Sequence, residues 1–131
     1  MMHQKAVLFK DPEMAKNILK ERMPKKMKQF GRRVKNFDDR TWTEKCRDIV
    51  EEGNYAKFTQ NEDLKKKLLA TGDKTIAEAS PFDKRWGIGL KAQDKRAQNP
   101  KEWKGSNWLG KAIMKVRERI RNEEKEIESK K

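Results

Sequence analysis

Between residues 80 and 110 the chain loses helical periodicity, yet it carries three of the four tryptophans, Trp86, Trp103 and Trp108. Gly87, Gly89, Gly105 and Gly110, together with Pro81, Pro100, Asp83 and Asn107, punctuate the same stretch. An aperiodic connection of this length is uncommon inside a compact domain unless it is functional or disordered. Disordered segments are poor in aromatics, whereas this one is rich in them. The fold must therefore hold an ordered, aromatic loop between its elements, and such a loop is the expected wall of a pocket.

The flanking sequence reads as helix. Asp11-Pro12-Glu13 supplies a capping carboxylate, a proline suited to the first helical position and an acid near the positive helix end. Pro24 opens a second helix, with Met27, Phe30, Gly31 and Val34 at spacings of three and four. Trp42, Cys46, Ile49, Val50 and Gly53 share one face of a third, running to about Phe58. Asn61 is read as the cap of a fourth, with Leu64, Leu68 and Leu69 buried and Thr71-Gly72 at its end. Asn107 is read as the cap of a last helix lined by Leu109, Ile113, Val116 and Ile120. Residues 75–79 and 87–90 are weak strand candidates. The expectation is a mainly α, at most α+β, single helical domain of about five helices with one or two short strands at most. It spans residues 1–121, followed by a solvated, fraying helical tail at 122–131.

Composition narrows the function classes. Charged residues make up 42% of the chain against 34% apolar ones, and the formal net charge is +13. That charge points to nucleic acid or another polyanion as a partner, or to a solubility device. Acids are interleaved with the basic residues, and only residues 25–35 and the triplet Lys65, Lys66 and Lys67 are locally dense. The single cysteine, Cys46, excludes an intrachain disulfide and is read as a small buried hydrophobe. The lone His3 has no matching carboxylates for a metal site. No apolar run reaches spanning length and no signal-peptide core opens the chain, so a soluble, cytoplasmic setting without membrane is expected.

Several residues could carry chemistry. Asp83 is either a carboxylate tuned by the neighbouring indole or a turn aspartate bonding its own backbone. Trp42 and Trp86 are either stacking platforms for a planar base or core. Gly87, Gly89, Gly105 and Gly110 permit close backbone approach to a ligand. Gly105-Ser106-Asn107 entering a helix offers open backbone N–H groups suited to phosphate, or simple capping. Lys5, in an otherwise apolar or neutral stretch, is either an amine nucleophile or a snorkelling side chain.

The order of motifs resembles one family. Met1-Met2-His3-Gln4-Lys5-Ala6, Gly31-Arg32, Lys57-Phe58-Thr59-Gln60-Asn61 and Leu68-Leu69-Ala70-Thr71-Gly72 come first. Glu78-Ala79-Ser80-Pro81, Asp83, Trp86-Gly87-Ile88-Gly89 and Gly105-Ser106-Asn107-Trp108-Leu109-Gly110 follow. This series resembles the NADAR, or YbiA-like, domain up to about Arg121. The resemblance implies an N-glycosidase that hydrolyses a ribose C1′–N bond. Its implied substrates are a ribosylamino-pyrimidine phosphate of riboflavin synthesis or ADP-ribose on guanine, including on nucleic acid. Lys5, Trp42, Asp83, Trp86, Gly87 and Asn107 are the implied pocket residues, joined by Gly110. No metal or organic cofactor is implied.

By the same resemblance, Asp83 pairs with a catalytic Glu that falls just upstream of Met1. An N-terminal portion bearing an Asn-Phe-type motif precedes that Glu, and a truncated, weak or inactive chain is therefore expected. Lys5 attacks C1′ as an amine or serves as a charge partner. Trp42 and Trp86 stack the base, while Arg32 and the helix start at Asn107 hold phosphate. Two rival expectations are a basic nucleic-acid-binding module without catalysis and a structural remnant without ligand.

Overall fold

The computed structural model describes residues 1–130. Six α-helices follow one another: α1 (Met2–Leu8), α2 (Pro12–Lys20), α3 (Pro24–Arg32), α4 (Asp39–Gln60), α5 (Glu62–Ala70) and α6 (Trp108–Ser129). Two 3-10 turns, Lys95–Gln98 and Pro100–Glu102, interrupt the connection before α6. The mainly α expectation holds, with α1 as the additional helix. No strand forms among the described residues, which corrects the expectation at 75–79 and 87–90. Ile88 donates to the Glu78 carbonyl and accepts from the Lys104 N–H, both at 2.9 Å. These are isolated bonds, not the repeating pattern of a ladder. The chain divides into two compact units, Met1–Val50 and Glu51–Lys131.

In the first unit local signals act as read. Asp11 caps α2, its Oδ1 accepting from Met14 N–H at 3.2 Å. Its Oδ2 accepts from Lys35 N–H at 2.8 Å, so one carboxylate ties the α1–α2 corner to the segment after α3. Asp11 is only 4% exposed. The Lys35 N–H, then that of Met14, holds its carboxyl below the usual range, against the opposing effect of burial. Ala6, Phe9, Ala15, Ile18 and Val34 are buried around it. A Cβ on Gly31 of α3 would overlap the end of the Met2 side chain, which would have to move aside.

The second unit is centred on Leu68 of α5 and Val116 and Ile120 of α6, with Tyr55, Phe58, Leu69, Ile76 and Ile113 packed around them. Asn61 occupies the N-cap position of α5, but its side chain accepts no capping bond. It donates instead to the Lys57 carbonyl at 2.8 Å, closing the end of α4. α6 is helical through Ser129. Its residues 123 and 124 are tethered rather than simply solvated, since Tyr55 Oη donates to Glu123 at 2.6 Å and Lys65 pairs with Glu124 at 2.9 Å. Lys131, the end of the expected tail, lies outside the described residues.

Candidate functional site

Lys5, Arg32 and Trp42 belong to the first unit. Lys5 Nζ lies 4.5 Å from the centroid of the Phe37 ring and 5.6 Å from that of Trp42. Phe37 is itself braced edge-on by Phe9, with centroids 5.1 Å apart. Two ring faces attract the ammonium form and fix where the amine sits. Burial opposes that charge, and the positive Arg32 adds to the effect, so the amine's proton affinity falls below its ordinary value. The amine is thus held in place and partly deprived of its solvent. Trp42 is buried, whereas Arg32, in the last turn of α3, is exposed. Phe37 is absent from the sequence-based set. Its only sequence signal is a lone aromatic between Asn36 and Asp38 in a turn.

Asp83, Trp86, Gly87, Asn107 and Gly110 belong to the second unit. Asp83 makes the turn that the bare reading of its neighbours allows, Oδ1 accepting from Arg85 N–H at 3.0 Å and Trp86 N–H at 2.8 Å. Both bonds use the same oxygen. Oδ2 makes no hydrogen bond among the described residues, so the carboxylate is oriented at one oxygen and open at the other. Trp86 meets Trp108 edge-to-face, with centroids 5.4 Å apart, and the Arg85 guanidinium lies 5.4 Å from the Trp108 centroid. Beside the Asp83 turn there is accordingly an aromatic corner with a cation over it.

Asn107 occupies the expected N-cap position of the last helix, but its side chain bonds elsewhere. It sits at the N-cap of α6 in the left-handed region, at φ 54, and its side chain makes no capping bond. Asn tolerates that conformation better than most residues. The residue is only 1% exposed. Oδ1 accepts from Glu78 N–H at 3.0 Å and Nδ2 donates to the Ile76 carbonyl at 2.9 Å. The side chain thus stands in for a missing neighbouring strand.

Of the open N–H groups expected at 105–107, those of Ser106 and Asn107 are already bonded. Ser106, Asn107, Trp108 and Leu109 donate to the carbonyls of Lys84, Gly87, Arg85 and Trp86, at 2.8 to 3.0 Å. The start of α6 is satisfied by the backbone of residues 84–87, which replaces the phosphate imagined there. The glycines follow the same logic. A Cβ on Gly105 would overlap the Gly87 carbonyl and crowd Ile88 and Lys84 backbone at 2.9 Å. A Cβ on Gly110 would overlap the Ile76 carbonyl and the Asn107 amide. At these positions glycine admits the protein's own backbone, which corrects the reading that they clear space for a ligand.

Arg117 is the other residue the sequence reading missed. It is 6% exposed and donates to Thr71 Oγ1 at 2.9 Å and the Lys74 carbonyl at 2.8 Å. Its position beside Val116, one turn before Arg121, was the available signal. Arg121 grips the same turn through Asp73 at 2.8 Å and through the Gly72 carbonyl. No cluster of metal-ligating side chains occurs among the described residues. No described helix is long and apolar enough to cross a membrane.

Over residues 1–121 the chain matches the NADAR domain. It is 52% identical over 118 residues to an N-glycosidase of Acanthamoeba polyphaga mimivirus, covering 90% of this chain and 69% of that protein. It is 41% identical over 121 residues to the protein irg-1 of Caenorhabditis elegans, covering 91% of this chain and 57% of that one. An N-glycosidase of Nostoc punctiforme is 34% identical over 119 residues, with 91% and 69% covered.

Proposed function

The chain belongs to the NADAR family, and we propose that it is an N-glycosidase hydrolysing the bond between ribose C1′ and a base or amine nitrogen. Two relatives that carry the name N-glycosidase, at 52% and 34% identity, support the activity class. The observation that carries the reading is Lys5, an amine fixed by Phe37 and Trp42 whose proton affinity burial and Arg32 pull down. Such an amine is a nucleophile at neutral pH to a greater extent than an ordinary lysine.

In the proposed reaction the free amine of Lys5 attacks C1′ and the C1′–N bond breaks. The departing nitrogen takes up the proton lost by the amine, and the sugar opens to an imine on Lys5. One water then adds at C1′, releasing the sugar aldehyde and restoring the amine. The family resemblance gives Asp83 the part of carrying protons and positioning water; within its own unit Oδ1 is held by the turn and Oδ2 is left open. By the same resemblance, Trp42 in the first unit and Trp86 in the second are the candidate aromatic surfaces for a base, and Arg32 the candidate charge for a phosphate. Gly87, Asn107 and Gly110 enter as the backbone arrangement that keeps Asp83 and Trp86 in place. The proposal requires no metal or organic cofactor, assumes the YbiA-like architecture of the family and a cytoplasmic setting, and takes two candidate substrates: a ribosylamino-pyrimidine phosphate and ADP-ribose on guanine.

Release of ribose 5-phosphate or ADP-ribose from these two substrates tests the activity, and borohydride trapping during turnover tests the amine. The reading predicts product from one substrate and a sugar adduct on Lys5 that is lost in Lys5→Ala. Turnover without an adduct removes the amine route. Absence of product from both substrates removes the proposal.

A further inference from the structure

The densest basic stretch of the chain, residues 25–35, is only partly used by the reaction above, through Arg32. Folding sorts it into two faces. Met27, Phe30, Gly31 and Val34 turn inward and are buried or half-buried. Lys25, Lys28 and Arg32 are exposed and follow one another at spacings of three and four, which places them in one row along α3. That row is about 10 Å long at the helical rise of ~1.5 Å per residue. Among the described residues none of the three has a carboxylate within ion-pair distance; Lys26, off the row, forms no ion pair either, though its charge helps to hold the Glu21 carboxyl below its usual range. At the Arg32 end, the row's charge is felt by Lys5.

We infer that the Lys25–Lys28–Arg32 row of α3 is a docking surface for the phosphodiester backbone of a nucleic acid strand. Unpaired cations in line are what a polyphosphate requires, since each neutralised phosphate releases a counterion and affinity needs no further contact. A protein partner would need a large apolar or aromatic anchor, and the exposed residues of α3 are Pro24, Lys25, Lys26, Lys28, Gln29 and Arg32. A lipid surface would need several apolar side chains to insert beside the cations; Met27 and Phe30 are half-buried, and Met23, at the N-cap of α3, is the one large apolar side chain exposed next to the row. Because the row ends beside Lys5, a bound strand would bring its own ribosylated base to that amine. Only this last consequence rests on the glycosidase reading.

Fluorescence anisotropy with a labelled single-stranded oligonucleotide tests the surface, using Lys25→Glu/Lys28→Glu against Lys66→Glu/Lys67→Glu. The two double variants change net charge equally, and all four lysines are exposed, so folding is checked simply by circular dichroism. The expected result is an affinity loss of at least about tenfold for the α3 variant. Its salt dependence should also flatten by roughly 0.7 per lost phosphate contact. The Lys66/Lys67 variant should bind much as the parent does. Equal loss in both variants, no loss in either, or tighter binding of the parent to phosphatidylserine vesicles than to the oligonucleotide overturns the inference. Turnover of a small ribosyl substrate, measured in parallel, should be unchanged in the α3 variant. Strand binding by a parent chain that shows no turnover sinks the glycosidase reading and leaves this surface standing.

Discussion

Residues 11–32 form two α-helices whose starts are fixed within a few positions, whereas residues 71–107 form no α-helix and are held largely by bonds across the chain. Asp11 caps α2 through Met14, three residues away. Asn107 stabilises its loop through Glu78 and Ile76, 29 and 31 residues away. In the first region a side chain closes a helix. In the second, four backbone N–H groups of the α6 start are closed by carbonyls of another segment; Gly105 leaves room for that segment, and Gly110 for the Ile76 carbonyl and the Asn107 amide. Local chemistry makes elements, while the aromatic corner at Asp83 and Trp86 is made by non-local backbone pairing.

That difference is open to direct attack. The largest effect is expected at Gly105→Ala, where every nearby atom is rigid backbone rather than a flexible side chain. The loss should exceed about 3 kcal/mol by chemical denaturation. A near-neutral result would mean that the loop yields, and that its backbone contacts do not define it.

Next comes Asn107. Asn107→Gly keeps the left-handed backbone but strands the Glu78 N–H and Ile76 carbonyl, an expected loss of about 1–3 kcal/mol. Asn107→Ala should cost roughly 1 kcal/mol more, the added strain of a left-handed alanine. If alanine and glycine are equivalent, conformational strain plays no part at this position.

A smaller effect is expected in the first region and depends on pH. Asp11 has a folded proton affinity below that of the unfolded chain, so its stabilisation is present above about pH 4 and is lost as pH falls through the lower folded value. Asp11→Asn should therefore be less stable than the parent at pH 7, with the gap narrowing on acidification. Denaturation midpoints of the two proteins between about pH 2 and 7 check this. A gap that widens with acid would reverse the sign and remove Asp11 as an ionised clamp.

The starts of α2 and α3 were legible because Asp11-Pro12 and Pro24 act on their own helices. The last helix was legible from Ile113, Val116 and Ile120, and the position of Asn61, though not its bond, from its neighbours. Asp83 was readable as a turn residue because its partners, Arg85 and Trp86, follow it directly. Sequence could not say what approaches a glycine, so backbone and ligand looked alike at Gly87, Gly105 and Gly110. The N-cap position of Asn107 was legible but its bonds were not, for a related reason: at a helix start the local cap is the common use of asparagine, and its distant partners leave no spacing signal. Phe37 and Arg117 were missed because each earns its role only through a contact made by folding.

The glycosidase account turns most directly on Asp83→Asn. Asparagine keeps an Oδ1 acceptor for the Arg85 and Trp86 N–H groups, so the turn should survive with an unchanged melting temperature. If Asp83 handles protons through Oδ2, ribosyl hydrolysis should fall by about 10²–10⁴-fold in this folded variant. Parental turnover in Asp83→Asn would contradict the account and leave Asp83 a turn residue alone.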